Sequence, residues 1–261
     1  MYNPTVRIIA FANQKGGVGK TTSAINLAAG LALNGRTTVL LDCDPQANAS
    51  TAMGFFESSL ADPFRDSTYA LFADDGRVEN TSIPTQFPNL RIVAGSRELS
   101  GLEIELVDFE DRERRLRASL DRSQGCAEFV ILDTPPSLGL LTLNCLVAAD
   151  EVIIPVQCEF LSLAGVARLL ETIRSVQQRG NPALRITGIL PTMFDSRTNL
   201  AKEVADDLAR HFPGLVFETV IPRSVRMAEA PSYGLPIVEY APSSSGAAAY
   251  LKFAEEVLVR C

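Results

Sequence analysis

Nine residues near the N-terminus, Gln14-Lys15-Gly16-Gly17-Val18-Gly19-Lys20-Thr21-Thr22, leave this chain few folds to choose from. Val6 to Ala12 precedes them, an apolar run short enough to be a buried strand. Ala24, Leu27, Ala28 and Leu31 follow at helical spacing, and Asn34-Gly35 closes that helix. Strand, glycine-rich turn and helix is the context a phosphate-binding loop requires. Glycines let the backbone curl until successive N–H groups face an anion, and the helix N-terminus adds its partial positive charge. Lys20 reaches the outer phosphates and Thr21 offers a hydroxyl to Mg²⁺. The common pattern G-x-x-x-x-G-K-[ST] is broken at its first glycine, where Gln14 stands, and a second lysine, Lys15, sits at the mouth of the loop.

Two further strands are expected to end in acid. Thr38 to Leu41 runs straight into Asp42-Cys43-Asp44-Pro45, and Phe129 to Leu132 runs into Asp133-Thr134-Pro135-Pro136. In open α/β sheets, ligands bind beyond the carboxyl ends of the strands. Asp133 is the expected Mg²⁺ residue, acting through water. One of Asp42 or Asp44 supplies the acceptor that holds a water in line for attack on a phosphate. Spacing does not choose between them.

The rest of the chain alternates. A short helix is expected over 67–72, a strand over 90–95, a solvated helix over 108–122 and an apolar helix over 138–149. A strand follows over 151–156, then a helix marked by Leu163, Val166, Leu170 and Ile173. A strand over 185–190, a helix marked by Leu200, Val204 and Leu208, a strand over 216–221 and a final helix bearing Tyr250, Phe253, Ala254 and Val257 complete it. This alternation predicts a doubly wound, mostly parallel sheet with helices on both faces, in one domain over 1–261.

Composition narrows the chemistry. No apolar run approaches the roughly 20 residues needed to span a bilayer, and Met1 to Pro4 leaves no room for a signal peptide, so a cytoplasmic location is expected. Five scattered cysteines, Cys43, Cys126, Cys145, Cys158 and Cys261, lack any C-x-x-C pairing and read as packing residues. The only histidine, His211, closes a helix, so chemistry needing a histidine base is not expected. The net charge of −7 is uneven. Residues 161–261 carry 11 Lys+Arg against 10 Asp+Glu, while the first 160 carry 13 against 21.

The segments K-G-G-V-G-K-T-T, L-L-D-C-D-P-Q-A-N, V-I-L-D-T-P-P-S, T-M-F-D-S-R-T-N-L and I-P-R-S-V-R-M-A-E-A-P-S-Y-G-L-P together resemble the ParA/Soj partitioning ATPases of the deviant Walker A (MinD/ParA) class. The resemblance implies a P-loop ATPase that uses ATP and Mg²⁺. Lys15 would be the signature lysine that crosses an ATP-dependent homodimer to the partner's nucleotide, with Gly16 at the dimer face. The loop from Lys15 through Gly17, Val18, Gly19, Lys20, Thr21 and Thr22 would bind the nucleotide. Lys15, Lys20 and Asp44 would serve hydrolysis, Asp44 by positioning water. Thr21, Asp133 and Asp42 would stand at or beside the metal, and Pro222 in the adenine pocket. Arg197 and Arg226 would grip non-specific double-stranded DNA, placing the protein on the nucleoid, and a ParB-type protein would be the partner. Ser224 stands where many relatives carry Asn. No N-terminal extension precedes the first strand to carry a helix-turn-helix. A MinD-like membrane regulator is the alternative; it needs a basic amphipathic helix beyond the domain, for which the chain is expected to end too soon. An amide-forming synthetase or an iron–sulfur protein of the same class is the third reading, and the cysteine spacing speaks against the latter.

Overall fold

The computed structural model describes residues 6–73, 76–123, 125–159 and 162–260, the side chains of 162–164 excepted. β1 (Arg7–Phe11) leads through the glycine loop into α1 (Lys20–Leu33), and β2 (Thr38–Asp42) into α2 (Asn48–Ala52). Then come α3 (Thr68–Ala73), α4 (Val78–Thr81), β3 (Ile83–Pro84), β4 (Leu90–Val93), α5 (Leu99–Glu105) and α6 (Arg115–Arg122). β5 (Phe129–Asp133), α7 (Leu140–Ala148), β6 (Glu151–Gln157), α8 (Ser162–Arg179) and β7 (Arg185–Thr192) follow. The described chain closes with α9 (Asn199–His211), α10 (Val225–Glu229), α11 (Ile237–Tyr240) and α12 (Ser245–Arg260).

The strands form one seven-stranded sheet in the order β3-β4-β2-β5-β1-β6-β7, parallel except for the β3 edge. Its strands read as unbroken apolar runs because both faces are covered. On β1, Ile8 and Ala10 point into one core layer while Ile9 and Phe11 point into the other; Val130 and Leu132 part from Phe129 and Ile131 on β5 in the same way. One layer is closed by α1 and α12, where Leu27 and Leu31 meet Tyr250 and Phe253. A Cβ on Gly30 would lie 2.7 Å from the Ala254 methyl, so these two helices touch backbone to side chain. The other layer takes Leu71, Leu102, Leu116, Leu141 and Val166 from α3 and α5 to α8.

The register sets the site. Parallel pairing places Phe11 and Asp42 each opposite Asp133, so the end of β1, from which the glycine loop departs, lies beside two acidic strand tips.

Two expected elements come out differently. The run 216–221 is no strand. Val216 bridges Ile189 and Ile221 N–H donates to Pro191 O, but between them the Glu218 and Thr219 amides donate to the Glu256 carboxylate of α12, at 2.8 and 2.9 Å, and so leave the sheet. The helix expected over 108–122 begins only at Arg115, and it is not a solvated rod. Leu116, Ser119 and Leu120 are buried, and the Arg115 guanidinium donates to the carbonyls of Phe72 and Ala73 while lying over the Phe109 ring. Met1 to Pro4 and Cys261 lie outside the described residues, as does the side chain of Leu163.

A nucleotide cleft at the strand tips

The loop between β1 and α1 is shaped by two glycines in left-handed conformation, Gly17 at φ +73° and Gly19 at φ +85°, where a side chain would be strained. It is pinned from three sides. Asn13 donates to Pro155 O (2.7 Å) and accepts the Lys15 N–H (3.0 Å), while the Thr192 hydroxyl donates to Val18 O (2.8 Å). Gly16 is different. A Cβ there would meet nothing within 4 Å, so no packing within this chain calls for a glycine.

Lys20 begins α1 and is buried beneath the loop. Burial lowers its pKa, and the nearby carboxylates of Asp133 and Asp44 oppose that by favouring the ammonium. Asp133 is fully buried, and neither carboxylate oxygen meets a donor at hydrogen-bonding geometry. Burial first, then the charge of Asp42, push its carboxyl well above the usual range; Thr21 and Lys20 work in the opposite direction. A buried acid without donors, flanked by a hydroxyl and an ammonium, is a high-energy arrangement that a cation would relieve. Thr21 and Asp133 therefore fit Mg²⁺. No three His, Cys, Asp or Glu side chains among the described residues gather into a metal cage, so the other ligands would be phosphate oxygens and water, as Mg²⁺ prefers.

Asp42 neighbours Asp133 by register, yet its carboxylate is occupied. Oδ2 accepts the Ser50 N–H (2.8 Å) and the Ser50 hydroxyl (2.7 Å), and Oδ1 accepts the Asp44 N–H (3.2 Å). Burial outweighs these bonds and raises its pKa to about 6. Asp44 is nearly buried, lines the cleft and accepts the Gln46 N–H on Oδ1 (2.9 Å).

A cleft of about 410 Å³ runs from Gly16, Gly17, Gly19, Lys20, Thr21 and Thr22 past Asp44 and Pro136 to an apolar end at Leu235 and Ile237. A second, of about 270 Å³, holds Pro222, Arg223 and Ser224. The two share Gly19, Thr22, Met193 and Met227, so Pro222 stands one step from the loop. Met193, between them, is held at φ +52°, a conformation costly for its type, by the pairing of Phe194 with Pro222.

The remaining expected residues lie on the surface. The half-exposed Lys15 ammonium pairs with Glu159 at 3.6 Å. Arg197 is 85% exposed and clasped twice by Asp195, at 2.7 and 2.8 Å, which holds the Asp195 carboxyl down at about 2. Arg226, also exposed, pairs with Glu229 at 3.2 Å, and Tyr240 donates to the same carboxylate at 3.1 Å. The Phe194–Pro222 bridge brings the segments leading to these two arginines side by side. His211 is an exposed helix-end residue against Asp207 O. Cys43, Cys145 and Cys158 are buried free thiols.

Sequence reasoning missed three contributors. Ser50 had no pattern to announce it. Gly95 did carry a signal, because a glycine ending a strand marks a close backbone approach, and a Cβ there would come within 2.9 Å of Asp42 Cγ. Asn26 donates to Thr22 O and accepts the Ile237 N–H, tying α11 to α1 at the cleft; a polar residue on a helix's buried face was its trace.

Fold and loop together define a P-loop nucleotide-binding protein, and a family profile described as an AAA domain matches residues 6–186. Relatives run nearly the full length. The chain is 45% identical to the sporulation initiation inhibitor protein Soj of Bacillus subtilis over 96% of this chain and 98% of that one. It is 46% identical to the chromosome-partitioning ATPase Soj of Treponema pallidum over 97% and 98%. Among solved structures, a cobyrinic acid a,c-diamide synthase of Mycobacterium smegmatis with bound ADP and magnesium superposes with a TM-score of 0.84 at 36% identity, covering 97% of this chain and 94% of that one. The chain belongs to the ParA/Soj family of partitioning ATPases.

Proposed function

We propose that this protein is an ATP-driven switch for DNA segregation, built as one ATPase domain and acting in the cytoplasm at the nucleoid. Mg²⁺ and ATP join two copies into a dimer that holds double-stranded DNA without sequence preference. A ParB-type partner stimulates slow hydrolysis to ADP and phosphate, and the dimer lets go. The observation that carries this reading is Asp133, a buried carboxylate whose oxygens meet no donor at full hydrogen-bonding geometry, set beside Lys20 and Thr21 under a pinned phosphate loop.

The loop amides from Lys15 to Thr22 and the Lys20 ammonium bind the phosphates. Thr21 and Asp133 hold Mg²⁺, the latter through water, with Asp42 at the neighbouring strand tip. Bound there, the ion neutralises phosphate charge. Asp44 accepts a hydrogen bond from a water and holds it in line with the outer phosphate. Pro222 forms one wall of the base pocket. Lys15 reaches the partner's nucleotide, and its exposed pairing with Glu159 is weak enough to yield, since such pairs contribute about 0–1 kcal/mol. The open space beyond Gly16 supports a second copy packing there. Arg197 and Arg226 contact DNA phosphates, so affinity depends steeply on salt.

The relatives support partitioning over the other readings. Identity is higher to the Soj proteins than to the solved diamide synthase. A synthetase that drew nitrogen from glutamine would use an activated thiolate, whereas hydrogen bonding with Cys145 and then burial raise the pKa of Cys43, and burial raises those of Cys126 and Cys158. Against the MinD-like reading, the apolar face of α12 is spent on α1.

A DNA-binding titration with ATP, ADP or no nucleotide, at two salt concentrations, tests the proposal. Retention is expected with ATP alone, falling steeply with salt, and lost in Arg226→Glu while ATP-driven dimerisation survives. DNA binding indifferent to nucleotide would sink it.

A further inference from the structure

Ser50, in α2, is 2% exposed. Yet three strand and helix ends meet at its hydroxyl. That hydroxyl donates to Asp42 Oδ2 at 2.7 Å and accepts the Gly95 N–H at 2.8 Å, and the Ser50 amide donates to the same Asp42 oxygen at 2.8 Å. The other Asp42 oxygen receives the Asp44 N–H. One unbroken path of hydrogen bonds thus runs from the tip of β4 through α2 and the tip of β2 to the backbone of Asp44.

We propose that Ser50 is a positioning residue for ATP hydrolysis, fixing Asp44 through the Asp42 carboxylate. This rests on the ATPase reading given above.

The path has little slack. Gly95 closes directly on Asp42, with room for no side chain. The segment between Asp44 and Ser50 is a tight turn. Ala47 N–H donates to Asp44 O at 2.8 Å, and Ala47 itself sits at φ +49°, which an alanine adopts only when its surroundings impose it. Both ends of that turn are anchored on one carboxylate, the first by the Asp44 amide and the second by Ser50. Without the Ser50 hydroxyl, Asp42 loses its shortest bond and the Gly95 N–H is left buried and unpaired. The turn can then shift, carrying Asp44 with it, while the phosphate loop on the far side of β5 keeps its own pins at Asn13 and Thr192. In-line attack is far more sensitive to such a shift than nucleotide binding is, because a displacement near 1 Å can cost a hundredfold in rate.

The test measures nucleotide affinity and ATP turnover in the full chain and in Ser50→Ala, Ser50→Thr, Asp44→Ala and the Ser50→Ala/Asp44→Ala double variant. Ser50→Ala is expected to lower kcat about tenfold or more with ATP affinity essentially unchanged, and Ser50→Thr, which keeps the hydroxyl, to recover turnover. In the Asp44→Ala background the serine substitution should cost nothing further, as for two residues acting through one group. Wild-type kcat in Ser50→Ala, a parallel loss of ATP affinity, or an undiminished effect without Asp44 would each overturn the proposal while leaving the ATPase reading standing. Should Asp44→Ala hydrolyse ATP at the wild-type rate, the assignment of Asp44 falls, and this inference falls with it.

Discussion

Asp133 and Glu151 are both buried carboxylates, at opposite edges of one sheet, and they could hardly be treated more differently. Glu151 opens β6. Its oxygens receive Arg7 at 2.6 Å, Arg185 at 3.2 Å and the Thr187 hydroxyl at 2.6 Å. Asp133 closes β5, two strands away, and neither of its oxygens meets a donor at hydrogen-bonding geometry. Burial alone therefore does not mark function. A chain that needs a buried acid for architecture surrounds it with donors, whereas at the carboxyl edge the donors are withheld and the charge is left for something that arrives later. The same edge holds Lys20, Asp44 and the strained Met193; the other holds saturated pairs.

Substitutions at the two edges should separate these roles. The largest effect is expected from Lys20→Ala, which removes the buried cation of the carboxyl edge and should cut ATP turnover by a hundredfold or more. Arg7→Ala, its counterpart at the other edge, should leave turnover per folded molecule intact; equal losses in a colorimetric phosphate assay would erase the distinction. Next in size, Glu151→Gln should destabilise the fold by about 2 kcal/mol in urea unfolding, because the two arginines lose their counter-charge, with much of the ion-pair value already screened at the exposed Arg185. The smallest effect has the opposite sign. In nucleotide-free protein Asp133→Asn should raise stability slightly at neutral pH while abolishing Mg²⁺-dependent turnover. A fall in melting temperature would mean that Asp133 has donors after all.

The pH dependence follows from the same contrast. The Asp133 carboxyl is raised when folded, so between the unfolded value of about 3.9 and its folded value the native state holds a proton that the unfolded chain has released. Stability of the nucleotide-free protein should accordingly decline as pH rises from about 4, with Asp42, raised to about 6, contributing over the first two units. Asp133→Asn should flatten that slope, as thermal melts across pH 4 to 7 will show.

Much of the carboxyl edge was legible because its chemistry is local. A phosphate loop needs its glycines, lysine and hydroxyl in one short stretch, and a buried parallel strand shows as an apolar run, so β1, β2 and β5 and their acidic tips could be read directly. What could not be read was made at a distance. The Ser50 and Gly95 contacts join β2 to residues 8 and 53 positions along, and no periodicity encodes them. The segment 216–221 has the composition of a strand and is drawn off the sheet by Glu256 of α12, a competitor invisible from the segment itself. The onset of α6 at Arg115 likewise depends on which arginines find carbonyls in α3.

The contact of α1 with α12 has a temporal side. The helix that begins at the phosphate loop is made among the first tens of residues, but the surface it must bury belongs to a segment synthesised more than two hundred residues later. A nascent chain emerging from the ribosome thus carries a nucleotide loop on a helix with one flank bare, and that flank is sheathed only once α12 has cleared the exit tunnel.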